Sequence, residues 1–233
     1  MMGMMIIGGL MSLIGGFISN KLQSKFQLYS QVGLRNGMSG KEIAEAMLRY
    51  YGIYDVKVQL SQGFLSDHYN PADKTVNLSE TVYNGRSVSA AAVSAHECGH
   101  AVQHATAYAA LGFRSAIVPV VKISSNLQQY LLMGSVLLVS SSFGTTLLLV
   151  TLIAFGITTL FSLVTLPVEF DASNRALKWL ESTNMTTPDE QIGAEDALWW
   201  AAMTYVAAAL AALASFLYVL MQYLQRSNQH NNR

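Results

Sequence analysis

VSAAAVSAHECGHAVQHA, residues 88–105, is the stretch on which the interpretation of the whole chain depends. It has no helix breaker upstream of its HExxH motif, His96-Glu97-Cys98-Gly99-His100. On a helix, residues four apart share one face, about one turn from each other. Two imidazoles placed in this way can hold one zinc ion, and the glutamate between them can reach a metal-bound water. The stretch predicts a helix with His96 and His100 as metal ligands and Glu97 as a catalytic base.

The composition indicates a membrane protein. Hydrophobic residues make up 52% of the chain and charged residues only 12%, with a mean hydropathy of +0.31, whereas a soluble domain carries about 25% charged residues. The net charge is zero and no basic run occurs, so the sequence argues against a nucleic-acid partner. The single cysteine, Cys98, excludes an internal disulfide and suits a reducing compartment. We interpret Cys98 as a small buried filler.

Three apolar regions predict four membrane crossings. Met1–Ile18 has no charge and is close to the ~20 residues that a spanning helix needs, so we expect an uncleaved anchor. Leu131–Leu166 is uncharged but too long for one crossing. A turn at Ser140–Gly144 would divide it into a hairpin of two helices, about 123–141 and 145–166, the first beginning near Pro119. Ala197–Leu224, with tryptophans and tyrosines near its ends, predicts the last crossing.

Four crossings place residues 19–118 and 167–196 on the same side of the membrane. All lysines and arginines except Arg226 and Arg233 lie on that side or at its boundary. The positive-inside rule therefore predicts that the polar part is cytoplasmic. The expected organisation is an anchor (1–18), a catalytic domain (19–118), a hairpin (119–166), a helix with the third zinc ligand (167–196), a last spanning helix (197–224) and a polar tail (225–233).

The polar region has the signals of a small α+β domain. Ser39 and Glu42 form a capping box that predicts a helix through Leu48. The alternating segment Val56–Leu60 predicts a strand, and Gly63–Tyr69 with Lys74–Leu78 predicts a hairpin around an Asn-Pro-Ala-Asp turn. We take Lys74–Leu78 as the candidate edge strand for pairing with a substrate backbone; a plain structural hairpin is the alternative. Ser87 is the expected cap of the HExxH helix.

A zinc site with two histidines needs a third protein ligand and an open position for water. Position 106, where one extended form of the motif has a histidine, is Thr106. His104 lies two turns from His96, ~11 Å along a helix, so we expect it to be a packing or supporting residue. Glu169 follows the hairpin on the side of the motif, after Pro167, which can occupy the first turn of a helix. We prefer Glu169 as ligand; the alternative is a surface acid favoured by the helix dipole.

Further residues near the predicted site are candidates for supporting roles. Asp171, Ser173 and Asn174 could orient the ligating imidazoles, which usually need a partner on their other nitrogen. His68 and Arg175 are candidate catalytic residues that would donate to the developing oxyanion. His68 could equally be a hairpin residue bonded to Asp67 or to the turn.

Several motifs together resemble the YugP-like neutral zinc metallopeptidases of bacterial membranes. They are GIYDV, SDHYNP, VYNGRS, AHECGHAVQH, FRS followed by Pro119, and LPVEFDAS, at residues 52–56, 66–71, 82–87, 95–104, 113–119 and 166–173. The resemblance covers nearly the whole chain. It implies zinc held by His96, His100 and Glu169, with Glu97 catalytic. It also suggests kinship with membrane gluzincins such as the HtpX-type proteases, which have an aspartate four residues after the ligand glutamate, where this chain has Ser173.

The resemblance completes the prediction of fold and function. We expect a mainly α membrane protein with four transmembrane helices and a small α+β zincin-like metallopeptidase domain with a short sheet. The expected function is that of an integral-membrane zinc endopeptidase of the bacterial cell membrane, which acts on peptide or protein substrates that include membrane proteins. The alternative is a zinc-binding membrane scaffold or regulatory subunit without turnover. The Gly-rich first helix and the Ala-rich last one would allow close packing in a homo-oligomer.

Overall fold

The computed structural model describes residues 2–63, 66–138 and 141–231. Its helices and strands are α1 (Met2–Ser30), α2 (Gly40–Tyr50), β1 (Lys57–Ser61), β2 (His68–Asn70), β3 (Thr75–Ser79), α3 (Glu80–Tyr83), α4 (Val88–Ala105), α5 (Ala109–Leu137), α6 (Ser142–Ser182) and α7 (Pro188–Asn231). The chain divides into two compact units. The polar unit comprises residues 18–112 and 167–204, and the membrane unit comprises residues 1–17, 113–166 and 205–233. The chain is therefore mainly helical with one small sheet, as predicted.

The polar unit contains a three-stranded sheet in the order β1-β3-β2. β3 pairs in parallel with β1 and antiparallel with β2. The prediction that residues 74–78 form an edge strand is wrong: β3 is the central strand, and all five of its residues are buried. The sequence predicts the hairpin of β2 and β3. It does not show that β1, which comes earlier in the chain, pairs in parallel with β3 on the side away from β2. Phe64 and Leu65, within the predicted first hairpin strand, lie outside the described residues.

Helices α2 and α4 begin where their capping residues predict. The Ser39 hydroxyl accepts from the backbone N–H of Glu42, and the Glu42 carboxylate accepts from the backbone N–H of Ser39. The Ser87 hydroxyl accepts from the N–H of Ala90 in the first turn of α4. The buried faces of both helices join the sheet in one core, which includes Ile43, Met47, Val76, Leu78 and Val102. This core packs α4, and therefore the HExxH motif, against the sheet.

Membrane character is evident in the long apolar helices. Within the part of the chain that the structure describes, three helices, α1, α6 and α7, are long and apolar enough to cross a membrane, or up to four if α4 and α5 count as one span bent by 94°. Two expected boundaries are wrong. Pro119 lies inside α5, which already begins at Ala109, and Pro167 lies inside α6 and does not start a new helix. A proline inside a helix loses one backbone hydrogen bond, which packed membrane helices tolerate because neighbouring groups can compensate.

Polar side chains in the membrane unit bond mainly to helix backbone. Thr151, Thr159 and Thr165 each donate to the carbonyl four residues earlier, at 2.8 Å. Thr159 also donates to the carbonyl of Ala212 on α7 at 3.1 Å, and Gln128 on α5 donates to Thr158 on α6 at 2.7 Å. The two bonds between helices help to hold them together, because the hydrophobic effect gives little driving force for helix association inside a membrane.

Candidate metal centre

The structure brings together the three residues predicted as ligands. His96, His100 and Glu169 each offer one ligand atom, and these atoms lie within 4.8 Å of one another. Nε2 of His96 lies 3.4 Å and Nε2 of His100 lies 3.5 Å from Oε2 of Glu169. Glu169 is 2% exposed and His100 is 8% exposed, whereas His96 is partly open to solvent. The group forms one buried cluster with an accessible side.

The donor set and its spacing fit a zinc ion. Zinc binds imidazole nitrogen and carboxylate oxygen at about 2.0–2.2 Å with tetrahedral angles, which separates neighbouring ligand atoms by roughly 3.3–3.5 Å. The two separations from Glu169 fall in this range, and all three ligand atoms lie within 4.8 Å of one another. Two histidines and one glutamate also leave the fourth position of a tetrahedron for water or substrate, as in catalytic zinc sites.

Close packing of two helices makes this cluster possible. Gly99 in the motif faces the backbone of Ala172 on α6, and a Cβ at position 99 would lie 2.5 Å from the Ala172 carbonyl oxygen. Real Cβ atoms do not approach backbone so closely, so any larger residue would push the two helices apart. Glu169 lies on α6 one turn before Ala172. The missing side chain of Gly99 therefore lets Glu169 reach the two histidines on α4.

A hydrogen-bond chain determines which nitrogen of His100 carries the proton. The Gln103 amide nitrogen donates to the Val168 carbonyl at 2.7 Å and to the Asp171 carboxylate at 2.8 Å. Both partners are acceptors only, so the amide oxygen of Gln103 must face Nδ1 of His100, which lies 3.0 Å away. Nδ1 then carries the hydrogen, and the lone pair of His100 is on Nε2, toward Glu169. Gln103 is fully buried and was not predicted as a site residue.

His96 has a different partner. Its Nδ1 lies 3.0 Å from the Ser173 hydroxyl, which can donate or accept. Ser173 occupies the position four residues after Glu169, where the HtpX-type proteases have aspartate. Ser173, one of the predicted supporting residues, therefore contacts the imidazole of His96. Because its hydroxyl can donate or accept, it does not by itself fix the tautomer of His96.

Glu97 is held by the sheet. Its Oε2 accepts from the backbone N–H of Tyr69 in β2 at 3.0 Å, and the side chain is buried. Since β2 is the edge strand on this side of the sheet, the outward N–H of Tyr69 is aimed at the motif helix. The structure thus fixes one oxygen of Glu97 and places the edge strand β2 beside it.

Burial and the neighbouring carboxylates have opposite effects on the pKa of His100. Burial lowers the pKa of His100, but the hydrogen bond that a protonated Nε2 would donate to Glu169 and the negative charges of Glu97 and Glu169 outweigh this effect and raise the pKa of His100 above its usual value. The surroundings therefore favour positive charge between these carboxylates. A divalent cation would meet that preference more fully than a proton does.

The other predicted site residues have separate partners. His68 is exposed, and its Nδ1 lies 2.8 Å from the Ser66 carbonyl oxygen, a partner that is neither Asp67 nor the Asn-Pro-Ala-Asp turn. Nε of Arg175 donates to Asp171 at 2.6 Å, so Arg175 anchors the end of the Gln103 chain. His104 lies 2.8 Å from the Tyr69 hydroxyl and is not part of the ligand cluster. Asn174 lines a neighbouring cavity, and Cys98 is fully buried.

Gln103 and the Tyr69 backbone were missed for different reasons. Gln103 is three residues after His100 and shares its helix face, a spacing that the sequence does show. Its partners on α6 become visible only in the tertiary structure. The Tyr69 N–H carries no sequence signal, because every residue except proline has one.

Comparisons with known proteins point to one protein family. The family model described as "Putative neutral zinc metallopeptidase" matches residues 4–224. The Bacillus subtilis protein described as "Putative membrane protease YugP" is 41% identical over 210 residues, which cover 90% of this chain and 92% of that protein. No solved structure matches the chain.

Proposed function

Because the chain belongs to the neutral zinc metallopeptidase family, we propose that it is an integral-membrane zinc endopeptidase with Glu97 as general base. The observation that carries this proposal is the cluster of His96, His100 and Glu169, in which both histidine nitrogens lie at zinc-site distances from the Glu169 oxygen and all three ligand atoms lie within 4.8 Å of one another. A structural zinc site usually closes with four protein ligands. The three ligands and the adjacent Glu97 therefore favour a catalytic site over the alternative of a zinc-binding scaffold.

The chain's own residues would divide the work of peptide hydrolysis. His96, His100 and Glu169 would hold a zinc ion, which would supply Lewis acidity for the scissile carbonyl and for a water molecule. The Glu97 carboxylate would take a proton from the attacking water and deliver it to the leaving amine. The N–H of Tyr69 holds Oε2 of Glu97 at 3.0 Å and so orients the carboxylate for both transfers.

Gln103 and Ser173 would prepare the histidines for metal binding. The amide oxygen of Gln103 accepts the hydrogen on Nδ1 of His100 and leaves the lone pair on Nε2. Asp171, tied to Arg175, keeps the Gln103 amide in the required orientation. The Ser173 hydroxyl supports the ring of His96. In this proposal Arg175 is a positioning residue and not an oxyanion donor.

The edge strand β2 is a better candidate than β3 for binding an extended substrate. The edge strand lies beside Glu97, whereas β3, which contains residues 75–78 of the predicted edge segment, is buried in the middle of the sheet. Main-chain hydrogen bonds to a strand edge bind peptides with little dependence on sequence. We further propose a multi-pass protein of the bacterial cell membrane with the polar unit in the cytoplasm, on the basis of the lysine and arginine distribution.

Glu97→Gln tests the catalytic assignment. The variant keeps the volume of the side chain and its acceptor oxygen for Tyr69 but cannot take a proton. We expect unchanged zinc content and a loss of casein cleavage by a factor of about 10²–10⁴, the usual contribution of a general base. The matched control is Glu80→Gln, a change at an exposed glutamate on α3. Cleavage by Glu97→Gln at the wild-type rate would remove Glu97 from the mechanism, and a wild type that binds zinc without cleaving any substrate would favour the scaffold.

A further inference from the structure

The membrane unit contains a cavity of about 370 Å³ that the proposed protease chemistry does not use. Four helices contribute to its walls, and most of the lining is apolar. The lining residues are Met4, Met5, Leu132, Ser135, Val136, Leu148, Tyr218, Val219, Gln222 and Arg226. A cavity of this size between spanning helices can take part of a hydrocarbon chain.

Three of the four polar residues in the lining form a row along one helix. Tyr218, Gln222 and Arg226 are spaced by four residues on α7, so they share one face. Arg226 lies at the end of this row, just beyond the apolar segment, and its Nη1 donates to the Ser135 carbonyl at 3.2 Å. This contact holds the charged group at the cavity wall. A guanidinium has five N–H donors, so the contact uses only part of its capacity.

Acidic side chains are distributed unequally between the two units. All fourteen aspartates and glutamates lie between Glu42 and Asp196, and every one of them belongs to the polar unit. The membrane unit has no acidic side chain, but it contains Arg114, Lys122, Arg226 and Arg233. The cavity therefore presents a cation to which its own unit offers no carboxylate side chain. A charged group at such a position is expected to pair with an anion from outside.

We propose that this cavity is a binding site for an anionic phospholipid. The phosphate binds Arg226 through charge-assisted hydrogen bonds, with Gln222 as a further donor, and one acyl chain fills the apolar part beside Leu132, Val136 and Val219. An arginine fork matches the geometry of a phosphate better than a point charge does. The occupant is thus an amphiphile with an anionic head and a hydrocarbon tail, as both parts of the lining require.

The test uses the purified full chain in detergent with added lipid, and bound lipid is counted by native mass spectrometry. We expect the wild type to retain phosphatidylglycerol in preference to phosphatidylcholine. Arg226→Gln should retain about tenfold less phosphatidylglycerol, the order expected for the loss of one charge-assisted hydrogen bond. Arg226→Lys should retain an intermediate amount. Val136→Phe, which narrows the apolar part, should also lower retention.

The matched control is Lys122→Gln, which removes one positive charge from the membrane unit without changing the cavity lining. It should bind phosphatidylglycerol as the wild type does. Equal retention by wild type and Arg226→Gln would overturn the proposal, and so would an equal loss in Lys122→Gln, which would indicate general surface charge. Inorganic phosphate should neither displace the lipid at millimolar concentration nor raise the thermal midpoint by itself. If it does both, the site binds a free anion and the lipid assignment is wrong.

Discussion

The polar unit and the membrane unit bury polar groups in opposite ways. In the polar unit, charged side chains are buried together: Glu169 with two imidazoles, and Glu97 with a backbone N–H. In the membrane unit, which contains no carboxylate side chain, hydroxyl groups bond to the backbone of their own or a neighbouring helix. Each buried charge in the polar unit depends on a specific partner, whereas most membrane-unit contacts are local and replaceable. Single substitutions should therefore have much larger effects in the first unit than in the second.

The largest effect is expected for Glu169→Gln, which keeps the side-chain volume but removes the charge between His96 and His100. Even the partners of metal ligands contribute about 10–100-fold to metal affinity, so loss of a ligand carboxylate should weaken zinc binding more than about a hundredfold. Competition with a chromophoric chelator measures this directly. Glu181→Gln, at an exposed glutamate on the same helix, is the control and should bind zinc normally. Wild-type affinity in Glu169→Gln would show that Glu169 is not a ligand.

Gly99→Ala tests whether helix contact, and not ligand identity alone, forms the site. A Cβ here would meet the backbone of Ala172, so α6 must move away from α4. Since a misplacement of about 1 Å can cost on the order of 10² in activity, we expect a comparable loss of casein cleavage together with weaker zinc binding. The control is Gly112→Ala, where nothing lies within 4 Å of the added carbon. If Gly99→Ala were as active as Gly112→Ala, the close packing would not be required.

Gln103→Leu and Ser173→Ala compare the two histidine partners within the polar unit. Gln103 fixes the tautomer of His100, while the Ser173 hydroxyl can bond to either tautomer of His96. We therefore expect Gln103→Leu to weaken zinc binding toward the upper end of the ~10–100-fold range and Ser173→Ala toward its lower end. Ring-nitrogen chemical shifts of His100 in the metal-free protein should show mixed tautomers only in Gln103→Leu. The reverse order of affinities would contradict the proposed role of Gln103.

The smallest effect is expected in the membrane unit. Thr159→Val removes the hydroxyl bond from α6 to the Ala212 carbonyl on α7. Such bonds between membrane helices contribute on average about 0.6 kcal/mol to stability, so unfolding in detergent should shift only slightly. Thr151→Val, which removes a bond within one helix, is the comparison. If Thr159→Val destabilised the protein as much as replacing a buried charged residue of the polar unit does, the two units would not differ in their dependence on specific polar partners.

Much of the architecture could be predicted from local patterns. The capping residues Ser39 and Ser87 fixed the starts of α2 and α4, because a cap needs only residues within one turn. The apolar segments predicted membrane helices, because bilayer thickness sets their length. Helix ends were less accurate: α5 begins ten residues before Pro119, since proline is tolerated inside packed helices. The pairing of β3 was missed because a parallel partner is set by distant contacts.

The sequence by itself determined the spacing of His96, Glu97 and His100 on one helix face, since that spacing follows from the pitch of an α-helix. It also determined the separation of acidic residues from the apolar segments. Only the tertiary structure decided that Glu169, sixty-nine residues after His100, lies against both imidazoles. It likewise decided that Gln103 bonds to His100 and that Tyr69 holds Glu97. The physical reason is that a buried polar group takes whichever partner packing brings within about 3 Å, and the sequence spacing does not encode that distance.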